Sequence, residues 1–508
     1  MSGFYTRRDF LKLAGLLSLS AAAPSFMRGV QSTKQAVAGK KNVLIVVFDA
    51  FSAYHISLYG YGRETTPNIS RLAERAVVYH NHYAGGSYTT PGTASLLTGV
   101  YPWKHRAFKY YSVVSEEFAD KTFFHAFDDY YRIAYSHNPL VTTLLDRFAP
   151  ALEDYIPLEQ FFLTNEGLLH SLFRNDNDIA TVSWSRSMKK ESGYSYSLFL
   201  SDLYKIYQQS KIEKYTPFFP LGLPNVLGDN YFLLEDAMDS IGKQLVDIPK
   251  PFLGYFHFMP PHQPYNTHRD FYNVFEKDAL PWTYKPEDLF THHDDPQFLV
   301  RRREQYDEFI LYADREFGKF MDRLNASGLL EDTWVVLTSD HGELFERGIL
   351  GHTTEVLYQP VVRVPLMIFE PGQKTRVDIY SKTSAVDVLP TLLHVTGGTA
   401  PDWTEGIILP PYSNDAPDLD RNLYVMQAKQ TEPGALITEG TLMLVKRQYK
   451  IMYFFGYEKL DGNERVELYD IESDPEEMVD LFLSEPEVAA ELLDELKAKL
   501  AEMNKPYL

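Results

Sequence analysis

The chain has 508 residues, 44% of them hydrophobic and 14% aromatic, and no cysteine. That size and apolar content suit two or more packed units, and the missing thiols exclude disulfides and every thiolate mechanism. A net charge of −20 argues against nucleic acid as a partner.

Residues 1–38 are expected to be a twin-arginine export signal. Thr6-Arg7-Arg8-Asp9-Phe10-Leu11-Lys12 precedes an apolar run from Leu13 to Ala23, too short for the roughly 20-residue helix that spans a bilayer. Ala36-Val37-Ala38 offers the small-x-small cleavage point, because Ala21-Ala22-Ala23 runs into Pro24. Losing Arg7, Arg8, Lys12, Arg28 and Lys34 against Asp9 takes the net charge from −20 to −24. The expectation is an exported protein, periplasmic, extracellular or on the cell surface, with the twin-arginine export machinery as a partner. No later run of about 18 apolar residues occurs, so the mature chain should carry no integral membrane span.

Lys41 to Asp49 is a continuous β-branched run, the pattern of a strand buried on both faces of a parallel sheet. It ends in a carboxylate where ligands of open α/β sheets gather. Thr66-Pro67 opens a helix with Ile69, Leu72, Ala73 and Ala76 on one face. Ser87 to Gly99 follows, with Pro91 suited to a first helical turn, Ala94, Leu96 and Leu97 apolar, and Gly99 as the stop. Thr89 then sits at a helix mouth, either as a cap or as a hydroxyl facing an anion. Tyr131 to Ser136 reads as another strand.

From Pro150 to Lys250 periodicity is weak, and a mostly helical insertion covering one edge of the sheet is expected there. Phe252 to Phe258 is a third buried strand, and the prolines of Met259 to Tyr265 place His262 on a stiff loop outside regular structure. A long helix has Ile310, Ala313, Phe317, Phe320, Met321 and Leu324 as its buried stripe and ends at Gly328. Trp334 to Glu343 is a strand ending in Asp340 and His341, with His352 in a loop shortly after. Arg363 to Phe369 is a fifth strand, Asp387 to Leu393 begins a helix, and Leu442–Val445 and Tyr449–Phe454 are strand-like. A final helix has Val488, Leu492, Leu496 and Leu500 on one side.

Asp49, Asp340 and His341 supply two carboxylates and an imidazole, a set suiting Zn²⁺ or Mn²⁺ more than the all-oxygen shell of Ca²⁺. Ordered blocks accompany them: Thr66 to Ala73, Thr89 to Gly99, His257 to Tyr265, Ser339-Asp340-His341-Gly342-Glu343, Arg363 to Leu366, Asp387 to Thr391 and Glu467 to Pro475. From about residue 40 to the end, apart from 150–250, this order resembles the sulfatase family of the alkaline-phosphatase-like superfamily. The resemblance implies an α/β fold with a central mixed, mostly parallel sheet sandwiched by helices. It implies a catalytic domain over residues 39–415, with 150–250 as insertion, and a smaller C-terminal α+β subdomain over 416–508. Carried onto this sequence, it makes Asp49, Asp340 and His341 metal ligands, Thr89 nucleophile and ligand, His262 and His352 catalytic groups on the substrate side, and His257 a substrate contact.

Departures from the family pattern redirect the chemistry. Sulfatases oxidise the first residue of Cys-x-Pro-Ser-Arg, or a serine there, to formylglycine; this chain reads Thr89-Thr90-Pro91-Gly92-Thr93. Oxidising a secondary alcohol gives a ketone, so threonine cannot become that aldehyde. Thr93 also removes the motif's cation, and Asp49-Ala50 with Asp340-His341 departs from the Asp-Asp and Asp-Asn pairs of calcium-dependent members. Threonine resembles the phosphoryl-transfer branches, in which a metal activates the hydroxyl for in-line attack on phosphorus. The expectation is one divalent metal, Mn²⁺ or Zn²⁺, and an anionic ester substrate on a glycan, lipid headgroup or small molecule. Phosphate ester hydrolysis, including phosphodiesters, leads; transfer to a second alcohol, sulfate ester cleavage without formylglycine and a non-catalytic binding protein are the alternatives. Asp288-Leu289-Phe290-Thr291-His292 fits the spacing of a second metal site but lies in a polar loop, and Asp314 is followed by Gly318, not histidine.

Overall fold

The computed structural model describes residues 39–163, 195–278, 280–414, 418 and 420–508. Residues 1–38, the expected export signal, and 164–194 of the expected insertion lie outside the described residues.

Strands β1 (Asn42–Asp49), β2 (Val77–Tyr83), β3 (Tyr131–Ser136), β4 (Asp154–Tyr155), β5 (Phe252–Pro261), β6 (Thr333–Thr338), β7 (Leu366–Phe369) and β8 (Val377–Ser384) form one sheet. Their order is β4-β3-β5-β1-β6-β7-β2-β8, parallel except at β7, which runs antiparallel to β6 and β2. Helices α1 (Pro67–Ala73), α2 (Thr89–Thr98), α3 (Pro139–Phe148), α4 (Ser195–Tyr215), α5 (Leu234–Asp247), α6 (Pro296–Ala326) and α7 (Val388–Val395) accompany it.

All of β1 is buried, as its unbroken apolar run predicts. Leu44, Val46 and Phe48 pack with α1, α5 and α6, while Val43, Ile45 and Val47 pack with α2, α3 and α7. Each such side chain contributes about 1.5–3 kcal/mol by leaving water, so the strand that ends in Asp49 is firmly held.

Several expectations need correction. The prolines after Phe258 do not end the strand: β5 runs to Pro261. Its neighbour β3 stops opposite His257, and the pairing with β1 shifts register beyond Phe48, so Pro260 and Pro261 occupy positions without a regular ladder to break. Part of the expected insertion lies on a face of the sheet as well as at its edge. β4 is an edge strand, but α5 buries Leu234, Ala237, Met238, Ile241 and Leu245 at helical spacing in the core shared with α6. The sequence reading missed β2, whose run is broken by His80, Asn81 and His82, and β8, a partly exposed edge with alternating polar residues.

A second, antiparallel sheet holds β9 (Leu423–Gln427), β10 (Gly440–Lys446), β11 (Tyr449–Phe455) and β12 (Glu464–Asp470) in the order β12-β11-β10-β9. On one face Leu442, Leu444, Ile451 and Leu468 meet Ala489, Leu492 and Leu496 of α8 (Pro486–Asn504). On the other, Met443, Val445, Met452 and Phe454 pack with Leu344, Val361 and Val362, so the small sheet braces the segment that follows β6. Among the described residues no helix is long and apolar enough to cross a membrane.

Candidate active site

β5, β1 and β6 are neighbours, so their carboxyl ends bring His257, Asp49, Asp340 and His341 together. One ligand atom each from Asp49, Asp340 and His341 lies within 4.8 Å of the others, and all three residues are buried. His341 Nε2 is 3.5 Å from Asp49 Oδ1 and 3.5 Å from Asp340 Oδ2. Its Nδ1 donates to the carbonyl of Gly342 at 2.9 Å, which leaves the Nε2 lone pair directed between the carboxylates. Asp49 Oδ1 and Asp340 Oδ2 are buried without a hydrogen-bond partner. Two such oxygens facing one imidazole lone pair fit a divalent cation, which would relieve both the unmet acceptors and the buried negative charge.

Thr89 is the first residue of α2, and Tyr88 supplies no side-chain cap. Its Oγ1 lies 3.3 Å from His341 Nε2. Asn138 caps α3 through its Oδ1, which accepts from Leu140 N at 2.8 Å. The amide nitrogen of Asn138 donates to Asp49 Oδ2 at 2.5 Å and approaches Thr89 Oγ1 at 3.4 Å. One side chain thus fixes the first carboxylate against the hydroxyl.

Above this group lies a cavity of about 410 Å³ whose walls include Thr89, Asn138, His262 and His352. His262 Nδ1 donates to the Gln263 carbonyl at 2.6 Å, and His352 Nδ1 pairs with Glu343 Oε1 at 3.1 Å. The His262 and His352 rings stand 4.9 Å apart, and His352 lies 4.2 Å from the His341 ring.

Charge follows from these placements. Burial opposes ionisation of Asp49, but His262, His257 and His341 outweigh it and hold the carboxyl well below its usual range. Burial opposes protonation of His341 too, yet without a cation between them Asp340 and Asp49 raise it to about 9, and a bound ion would take that proton's place on the Nε2 lone pair. Burial and the neighbouring His341 push His352 down to about 3, and burial lifts Glu343 to about 7.

His257, expected to touch substrate, instead lies fully buried behind the carboxylates. Tyr255 OH reaches its Nδ1 at 3.0 Å, and its Nε2 contacts Asp49 Oδ2 at 3.2 Å, so it positions the carboxylate and does not line the cavity. Tyr255 and His257 share one face of β5 because side chains alternate along a strand, a signal available in the sequence. Asn138 was also missed, although Asn-Pro is a legible helix start. Asp288 is buried and accepts from Tyr358 at 2.9 Å and Arg465 at 3.0 Å, while His292 is exposed. Asp314 accepts from the backbone of Asn68 and Ile69 at the start of α1.

A family model described as Sulfatase matches residues 41–398, and one described as N-sulphoglucosamine sulphohydrolase, C-terminal, matches 352–506. An ulvan-active sulfatase from Formosa agariphila is 26% identical over 404 residues, covering 76% of this chain and 68% of that protein. A choline-sulfatase from Rhizobium meliloti is 24% identical over 472 residues, 87% of this chain and 82% of that protein. The phosphonate monoester hydrolase of Agrobacterium radiobacter shares the fold, with a TM-score of 0.65 and 17% identity over 91% of this chain and 96% of that one. The matched Sulfatase span takes in β1 with Asp49, α2 with Thr89 and the Asp340-His341 turn, and the chain belongs to the sulfatase family.

Proposed function

We propose that this chain cleaves or transfers phosphate esters with Thr89 as nucleophile, assisted by one divalent cation, Mn²⁺ or Zn²⁺ before Ca²⁺. The observation that carries this is the Thr89 hydroxyl, which lines the cavity and stands 3.3 Å from His341 Nε2 beside two unpartnered carboxylate oxygens. Asp49, Asp340, His341 and the Thr89 hydroxyl would hold the ion. Bound there, it supplies Lewis acidity and offsets the carboxylates' charge.

Asn138 and the α2 mouth orient the Thr89 oxygen toward the cavity, and Asp49 stays ionised beside it. As the Thr89 oxygen bonds to phosphorus it gives up its proton to an imidazole facing the cavity, the bond to the substrate alcohol breaks, and the departing oxygen takes a proton in turn. His262 and His352 face the cavity to provide it, each with Nδ1 committed and Nε2 left for exchange. An anionic ester brings the negative charge that draws a proton onto these imidazoles. Water attacking the phosphothreonine restores the hydroxyl, and a second alcohol in its place makes a transferase.

A sulfate ester is the second reading, supported by the sulfatases among the relatives. It ranks lower because threonine cannot form the aldehyde through which such an ester is released by elimination. A non-catalytic binding protein would have no use for two buried carboxylates that each leave one oxygen without a partner. Residues 39–415 carry the reaction in this reading, 416–508 brace it, and the Arg7-Arg8 leader exports the folded chain. Replacing Arg7 and Arg8 with lysine should then hold the protein in the cytoplasm, and unchanged export would refute that route.

The test is turnover of matched aryl phosphate monoesters, phosphodiesters and sulfates in Mn²⁺, Zn²⁺ and Ca²⁺, by wild type, Thr89→Ala and Thr89→Ser. Phosphoester cleavage that needs Mn²⁺ or Zn²⁺, falls at least about 100-fold in Thr89→Ala and survives in part in Thr89→Ser is expected. Sulfate turnover alone, or full activity in Thr89→Ala, overturns the reading.

A further inference from the structure

We infer that Lys429, carried to the cavity mouth by the C-terminal sheet, binds a second negative charge on the substrate, outside the reacting ester. The inference rests on the ester-cleaving reading of the same site.

Lys429 follows the end of β9 by two residues and is half-buried. Its Nζ stands 4.1 Å from the centre of the Tyr110 ring. Tyr110 in turn bonds through its hydroxyl to Thr353 Oγ1 at 2.5 Å, and Tyr110, Thr353 and His352 all line the cavity. The ammonium is therefore fixed at the rim by an aromatic face tied to the segment that carries His352.

Two further facts make this more than packing. Among the described residues no carboxylate pairs with Lys429, whereas Lys109 close by is paired with Glu432. Among the described residues lining the cavity there is no lysine or arginine, and Thr93 stands where the motif that this sequence resembles has arginine. An unpaired cation at the mouth of a cavity without its own is placed for an anion that arrives with the substrate. Tyr110, Tyr111, Leu140 and Leu227 give apolar surface to the same cavity that Thr89 lines. The substrate that fits carries its ester at one end, an apolar or ring-shaped body, and a carboxylate, sulfate or phosphate beyond it.

The test compares two aryl esters, one bearing a para-carboxylate and the other its neutral methyl ester, on the intact chain with Mn²⁺. Both are made as methyl phosphodiesters and as sulfates, and wild type, Lys429→Met and Lys429→Arg are assayed. Lys429→Met should lower kcat/KM for the charged ester about tenfold relative to the neutral one, with the loss in KM, and Lys429→Arg should keep most of the preference. An equal effect on both esters, or none, overturns the inference and leaves Lys429 as packing on Tyr110. If only the sulfate pair turns over, the phosphate reading falls while the same ratio still decides Lys429. If no ester turns over, calorimetric binding of 4-hydroxybenzoate against its methyl ester decides it, and a preference unchanged in Lys429→Met overturns the inference.

Discussion

Gly92 of α2 packs so closely on the end of the β6 segment that a Cβ there would stand 2.1 Å from the Asp340 carbonyl oxygen. The contact is with backbone, which cannot rotate away. It lets α2 seat its first residue, Thr89, against His341. Gly92→Ala forces helix and turn apart, at a cost of about 1–3 kcal/mol. Because the displaced group is the proposed nucleophile, ester turnover should fall about 100-fold, more than the stability loss alone explains. Wild-type rates from folded Gly92→Ala protein would refute this placement of Thr89.

Asn138 separates positioning from capping. Its Oδ1 caps α3 and its amide nitrogen serves Asp49 and Thr89. Asn138→Asp keeps the acceptor at the helix start but sets a negative charge beside Asp49. Asn138→Ala loses the cap, worth about 1 kcal/mol. Turnover should therefore fall in both variants while only Asn138→Ala loses helix stability through the cap, as steady-state rates and thermal melts read together would reveal. Normal turnover in Asn138→Asp would remove Asn138 from the site.

Legibility tracked how local each signal is. β1 and the carboxylate at its end follow from one unbroken apolar run, and α2 from Pro91 and Gly99, which takes φ of 70° at the helix stop. Asp340 and His341 stand at the end of a strand that the sequence displays. What stayed hidden was relational. The reversed direction of β7 and the pairing of β2 with β8 depend on which edges are free, not on any residue in those strands. His257 looked like a substrate contact because histidine at a strand end suits either role; only the neighbours Tyr255 and Asp49 on both its nitrogens assign it to support. Lys429, far along the chain, comes to the cavity only through the packing of the second sheet.

Metal binding should be visible without turnover. Asp49 and Asp340 are buried side by side, each with one oxygen left without a hydrogen-bond partner, and a bound cation would satisfy both. Saturating Mn²⁺ or Zn²⁺ at about 100 times Kd stabilises the native state by about 2.7 kcal/mol, raising Tm. Asp340→Asn should gain little from added metal, because it loses a ligand carboxylate and with it the charge that holds the proton on His341. Equal metal-induced shifts in wild type and Asp340→Asn would place the ion elsewhere.

Asp314 gives the fold a pH dependence independent of the cavity. The carboxyl is buried in α6 and accepts from Ile69 N at 2.7 Å and Asn68 N at 2.9 Å, yet burial outweighs these bonds and lifts its pKa from 3.8 to about 6. Since the folded state holds this proton more tightly than the unfolded chain, its contribution is fully present below about pH 4 and is lost as pH rises through 6. A gap of about two pH units corresponds to roughly 3 kcal/mol. Asp314→Asn cannot titrate and keeps one acceptor for the start of α1. Measured by denaturant unfolding between pH 4.5 and 7, the stability of wild type relative to Asp314→Asn should fall with rising pH and level off above about 6.5. Curves that run parallel across that range would mean that Asp314 stays ionised throughout and acts only as the acceptor for α1.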